Sequence, residues 1–118
     1  MKENVIREKS MAFAIRIVNL YRVLCDRKKE YVLSKQVLRA GTSIGANMAE
    51  AECAISRKDF LAKAYIAYKE CSETKYWLEL LQKTDFISMA EFSSIAGDCA
   101  ELYRILAAIT KTTRDNEE

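Results

Sequence analysis

Four blocks of apolar residues at three- and four-residue spacing run along the chain, the period of helices with one buried face. The first spans 4–27, where Ile6, Phe13, Ile17, Leu20, Tyr21 and Leu24 make a broad apolar face with Ala14, Val18 and Cys25. Asn4 is placed to cap its start. Arg27, Lys28 and Lys29 suit its last turn, because a helix carries partial negative charge at its C-terminus. The second block spans 34–54 and starts at Ser34 or a neighbour. The third, 57–83, opens on Ser56 with Asp59 three residues on, an acidic variant of the capping box. Its inner seam is Phe60, Ala64, Ala67, Cys71, Thr74, Leu78 and Leu81. The fourth, 89–112, opens on Ser88 and Glu91, a standard capping box. It presents Phe92, Ile95, Cys99, Leu102, Leu106 and Ile109 before fading into the charged tail TTRDNEE. Short connections between long amphipathic helices predict one all-α domain over 1–118, an up-down-up-down antiparallel four-helix bundle. Helix content near 80% is expected, far above the base rate for globular domains.

The second block, LSKQVLRAGTSIGANMAEA, has a distinctive wheel. Leu33, Val37, Ala40, Gly41, Ile44, Gly45, Met48, Ala49 and Ala51 share one side, and the centre of that side is small. Gly41 and Gly45 each cost about 1 kcal/mol relative to Ala within a helix. Their presence one turn apart predicts close helix packing, with another backbone approaching there. Opposite lies a polar stripe of Gln36, Arg39, Ser43, Asn47 and Glu50. Arg39 and Glu50 are about 16 Å apart along the axis at 1.5 Å per residue, so they cannot pair within one chain. Three readings of this stripe stay open: hydrogen bonding between helices or subunits, a surface for ligand or nucleic acid, and inert solvated surface.

The third block carries more apolar surface than one seam explains. Tyr65, Ser72, Tyr76 and Leu80, with Lys69 among them, form a second stripe, and Ile66 and Trp77 lie between the two. A bundle helix normally shows solvent on its far side. Aromatic enrichment there marks Tyr65, Ile66, Tyr76, Trp77 and Leu80 as an oligomer interface.

Composition narrows the chemistry. Nineteen basic against 17 acidic residues leave a net charge of +2, too balanced to imply nucleic-acid or membrane binding by itself. No apolar run is long enough to span a bilayer and the N-terminal residues lack a signal-peptide core, so no membrane partner is expected. Four cysteines without C-x-x-C spacing read as reduced core residues, not as a disulfide or metal framework. Together these point to a soluble cytoplasmic protein. There is no histidine, which removes the commonest general base and transition-metal ligand. The glycines sit inside a helix, so they do not form a phosphate loop. Glu70 and Glu73, or Glu50 and Glu52, lack the Glu-x-x-His partners that di-iron bundles use and read as surface charge. No enzyme activity, cofactor, metal or small-molecule substrate is expected.

The run from Leu33 to Ala51, followed by FLAKAYIAYKECSETKYWLELL, resembles the four-helix-bundle proteins encoded in intervening sequences of bacterial 23S ribosomal RNA genes. The likeness covers nearly the whole chain. That family is also similar to the accessory protein of diversity-generating retroelements, whose members are associated with nucleic acid and a reverse transcriptase. The resemblance implies a ring-like homo-oligomer of up-down bundles, a pentamer. Arg39, Ser43, Asn47 and Glu50 match the family's polar positions, and Tyr76, Trp77 and Glu79 its second block.

Two function classes follow. One is a non-catalytic, self-assembling interaction module with a protein partner. The other is an oligomer that binds nucleic acid with weak sequence preference, like a reverse-transcriptase accessory. In an up-down bundle Arg27, Lys28, Lys29 and Lys83 gather at one end, and Arg57 and Lys58 at the other with Lys2, Lys111 and Arg114. Repetition around a ring would multiply either basic patch.

Overall fold

The computed structural model describes residues 2–117, with side chains from Val5 to Asp115. Four helices follow one another: α1 (Lys2–Asp26), α2 (Leu33–Ala51), α3 (Arg57–Lys83) and α4 (Met89–Glu117). Helix accounts for 86% of the described residues, and no strand occurs among them. The helices pack in a closed square, α1 on α2, α2 on α3, α3 on α4 and α4 back on α1, within a rod 48 Å long and about 20 Å across. Short connections turn the chain back at each end, which is the antiparallel up-down arrangement.

Each helix contributes one seam to a common core. Ile6, Phe13, Ile17 and Leu24 come from α1, and Val37, Ile44 and Met48 from α2. Leu78 and Leu81 come from α3, and Ile95, Leu102, Leu106 and Ile109 from α4. The middle of α3 is narrower, with Ala64, Ala67, Cys71 and Thr74 all fully buried. The buried threonine hydroxyls are satisfied because each bonds back along its own helix. Thr74 donates to the carbonyl of Glu70 at 2.7 Å and Thr110 to that of Leu106 at 2.9 Å.

Helix ends show where local signals operate. At α4 the Ser88 hydroxyl accepts from the Glu91 N–H at 3.1 Å, while the Glu91 carboxylate accepts from the Ser88 N–H at 2.8 Å. These bonds hold the Glu91 carboxyl below its usual range, with Lys28 adding attraction. At α3 the Ser56 hydroxyl accepts from Asp59 N–H at 3.0 Å, and the Asp59 carboxylate reaches past it to Ile55 N–H. At α2 the cap is Glu30, not Ser34. Its carboxylate accepts from the N–H groups of Val32, Leu33 and Ser34 at 3.1, 3.0 and 2.7 Å. Partial desolvation raises the Glu30 pKa, but the three N–H groups outweigh it and the carboxyl sits below its usual range. Ser34 is buried instead, its hydroxyl 3.7 Å from the Cys25 sulfur.

Several expectations need correction. α2 ends at Ala51 and not at residue 54, because Cys53 N–H folds back onto Glu50 O in a tight turn. α4 continues through the charged tail to Glu117, and α1 already begins at Lys2. The side chain of Asn4, the expected cap, lies outside the described residues. Cys53, read as a core position, is exposed on the α2–α3 connection. α3 stops without glycine: Asp85 takes a left-handed φ of 67°, and Phe86 N–H reaches Leu81 O at 2.9 Å.

Candidate assembly and nucleic-acid surfaces

The α3 positions expected at an interface separate into two groups. Tyr65, Ile66 and Tyr76 are exposed, Tyr76 by 59%. Trp77 and Leu80 are half-buried, and Trp77 packs against the core. The Trp77 indole donates to Glu73 at 3.0 Å, and its ring meets Tyr76 edge-on with centroids 5.1 Å apart. One turn of helix therefore anchors an indole inward and displays a phenol outward. An aromatic pair that the pattern of α3 alone does not show extends this face onto α4. The Tyr68 hydroxyl donates to that of Tyr103 at 2.9 Å, and Tyr65 stands edge-on to Tyr68. The Tyr103 bond raises the Tyr68 phenol pKa. Lys75 and Arg104 line the adjoining α3–α4 groove with Tyr103. Laying α3 antiparallel on α4 would have revealed this pair; reading either helix alone could not.

The polar stripe of α2 does not converge on one site. The Ser43 hydroxyl donates to Arg39 O at 2.6 Å and the Asn47 amide to Ser43 O at 2.8 Å, so both satisfy their own backbone. Glu50 pairs with Lys63 of α3 at 3.0 Å, which raises the Lys63 pKa. Arg39 is exposed and makes no ion pair with another described residue. Seven residues further along each antiparallel helix from the Glu50–Lys63 pair, Glu70 lies level with Ser43. One carboxylate oxygen of Glu70 is buried with no hydrogen-bond partner among the described residues.

Gly41 and Gly45 both face α1. A Cβ on Gly41 would lie 2.7 Å from Cγ1 and 2.9 Å from Cγ2 of Ile17, so the approaching group is a branched side chain and not the backbone. At Gly45 the neighbour is Ser10, with Oγ at 3.2 Å and the main-chain carbonyl carbon at 3.7 Å.

Arg27, Lys28, Lys29 and Lys83 are exposed at one end of the rod, and Arg57, Lys58, Lys111 and Arg114 are exposed at the other. The side chain of Lys2 lies outside the described residues. Acidic groups interrupt both ends: Lys28 acts on Glu91, Arg7 pairs with Glu52 at 3.3 Å, and Arg114 lies 3.9 Å from Asp115. Among the described residues no group of three or more Cys, Asp or Glu is placed to hold a metal ion. None of their helices is long and apolar enough to cross a membrane.

Residues 2–108 match the family described as 23S rRNA-intervening sequence protein. A crystal structure from Bacteroides thetaiotaomicron VPI-5482, described as a protein of unknown function from the S23 ribosomal protein family, is 54% identical. The likeness covers 94% of this chain and 99% of that one, with a TM-score of 0.93. No curated protein matches the chain.

Proposed function

The chain belongs to the family of 23S rRNA-intervening sequence proteins, and from that premise we propose that it is a non-catalytic, self-assembling interaction protein of the cytoplasm. The observation that carries this reading is the exposed aromatic and aliphatic face of α3, where Tyr65, Ile66 and Tyr76 stand out from a bundle whose core is already filled. Surface of this kind lowers its free energy by burial against another copy. The unpartnered Glu70 oxygen on the same helix is a buried acceptor that a donor from a neighbouring copy would satisfy. The pentameric ring implied by the family resemblance is the assembly proposed, and a reducing cytoplasm suits four free cysteines. Light scattering at micromolar concentration is expected to give several times the 13.5 kDa chain mass. Tyr76→Asp and Ile66→Asp together should shift that mass to the monomer with helicity retained, since both side chains are exposed. Trp77→Asp is unsuited to this test because it would open the core. A monomeric parent would overturn the reading.

A second reading, an oligomer that binds nucleic acid as a reverse-transcriptase accessory would, draws on the α3–α4 groove. Tyr103 lies there beside Lys75 and Arg104, so a phenol for stacking adjoins cations for phosphate. Fluorescence anisotropy with single-stranded RNA at low salt should then show binding that weakens steeply as salt rises. Replacing Lys75 and Arg104, or Arg27, Lys28 and Lys29, should flatten that slope. No binding by the intact oligomer at low salt would leave the protein-interaction reading alone.

A further inference from the structure

Two cysteines 28 residues apart in the sequence meet in the core. The Cys71 and Cys99 sulfurs are 3.8 Å apart where α3 crosses α4, with both residues essentially buried. The contact is reciprocal: Cys71 Sγ lies 3.4 Å from the carbonyl oxygen of Cys99, and Cys99 Sγ 3.6 Å from that of Cys71. Each thiol therefore reaches the other helix's main chain. The neighbouring residues are small or slender: Ala67 and Thr74 on α3, and Ala100 on α4. The pair also forms part of the wall of the α3–α4 groove, with Ser72, Lys75, Tyr103 and Arg104. The sulfurs lie beneath that wall, so a small peroxide reaches them as the groove side chains move aside.

We propose that Cys71 and Cys99 are an oxidation site, a dithiol that a small peroxide converts to an internal disulfide joining α3 to α4. Cys25 and Cys53 have no comparable partner: the former faces Ser34 and the latter is exposed on a connection. Cys99 is the sulfur set up to react first. A hydrogen bond from the Cys71 thiol lowers its pKa against the cost of burial, and Lys75 adds attraction. The same arrangement keeps Cys71 protonated. The Cys99 thiolate attacks one peroxide oxygen, the O–O bond breaks, and a sulfenic acid forms as hydroxide leaves. With the negative charge gone from Cys99, Cys71 loses its proton to that hydroxide and attacks the sulfenic sulfur. The S–O bond breaks as the S–S bond forms, and the second hydroxide takes up the proton first lost by Cys99. Two thiols and one peroxide become one disulfide and two waters. Closing from 3.8 Å to bonding distance requires rotation of the two short side chains with a small approach of the helices.

The test uses a Cys25→Ser, Cys53→Ser chain exposed to hydrogen peroxide, followed by alkylation and intact-mass measurement under denaturing, non-reducing conditions. The expected product has lost two hydrogens, takes up no alkylating agent, regains both thiols with reductant, and melts several degrees above the reduced form. Adding Cys71→Ala should leave Cys99 to gain oxygen instead, with circular dichroism verifying that this variant folds. Two thiols that remain alkylatable after peroxide has oxidised Cys53 in the parent chain would overturn the proposal. So would oxygen added at each sulfur without loss of hydrogen. Both overturning results are read from chains with Cys71 and Cys99 intact, so a misfolded Cys71 variant would not obscure them.

Discussion

α1 meets its two neighbours in opposite ways. Against α2 it closes on small residues: Ile17 occupies the space a side chain on Gly41 would fill, and Ser10 sits over Gly45. Against α4 the packing is the loosest of the four seams, and polar side chains hold it. Arg16 donates to Asp98 at 2.7 Å, to the Ser94 hydroxyl at 2.9 Å and to the Ser94 carbonyl at 3.3 Å. Lys9 pairs with Glu101 at 3.0 Å further along. A groove of about 500 Å³ remains between the helices, with Leu20, Val23, Ile87 and Ile95 in its wall. Gly97 of α4, by contrast, lies on the exposed face of its helix, where a Cβ would meet nothing within 4 Å. Steric fit therefore sets the register and spacing of α1 on α2, whereas long flexible side chains span α1 to α4 and tolerate movement. The bundle has a tightly packed side and a looser side held by polar contacts.

A pair of glycine substitutions, one in the tight α1–α2 seam and one on an open helix face, tests how much that steric fit contributes. Gly41→Leu should destabilise the fold by of order 3 kcal/mol, because the β-branched Ile17 has no flexible end to move aside. Gly97→Ala should stabilise it by about 1 kcal/mol, since the helix gains propensity and nothing obstructs the methyl. Urea unfolding of both variants measures the difference, and equal effects would show that the α1–α2 seam at Gly41 is no tighter than open surface. The polar side should respond least. Asp98→Ala leaves Arg16 its two Ser94 acceptors, and the pair is about half exposed, so a loss of about 0.5 kcal/mol is expected, smaller still in molar salt. A loss of several kcal/mol there would mean that the ion pair, not the core, holds α4 in place.

The features that could be read directly from the chain depend on near neighbours in sequence. The Ser88–Glu91 box needs only residues three apart, and the α3 seam from Ala64 to Leu81 follows from the helical period. Glu30 escaped that reading because it caps α2 from across a left-handed turn at Lys29, φ 55°, a conformation that nothing in the composition of RKKEYV demands. Trp77 was harder still. Its position between two stripes fits either direction, and contact with the core together with a bond to Glu73 turned it inward.

By itself the sequence determined how many helices form, where most begin, which face of each is buried and that the chain turns back between them, because propensity, capping and period are local properties. Tertiary structure alone decided which residues meet across the seams: Ile17 over Gly41, Tyr68 with Tyr103, Cys71 against Cys99 and Arg16 with Asp98. Sliding α4 along its neighbours by a single turn would preserve every amphipathic pattern and every cap, yet would separate Tyr68 from Tyr103, Cys71 from Cys99 and Arg16 from Asp98. Only the simultaneous packing of the four faces, with branched side chains seated over small ones, selects the one register that brings them together.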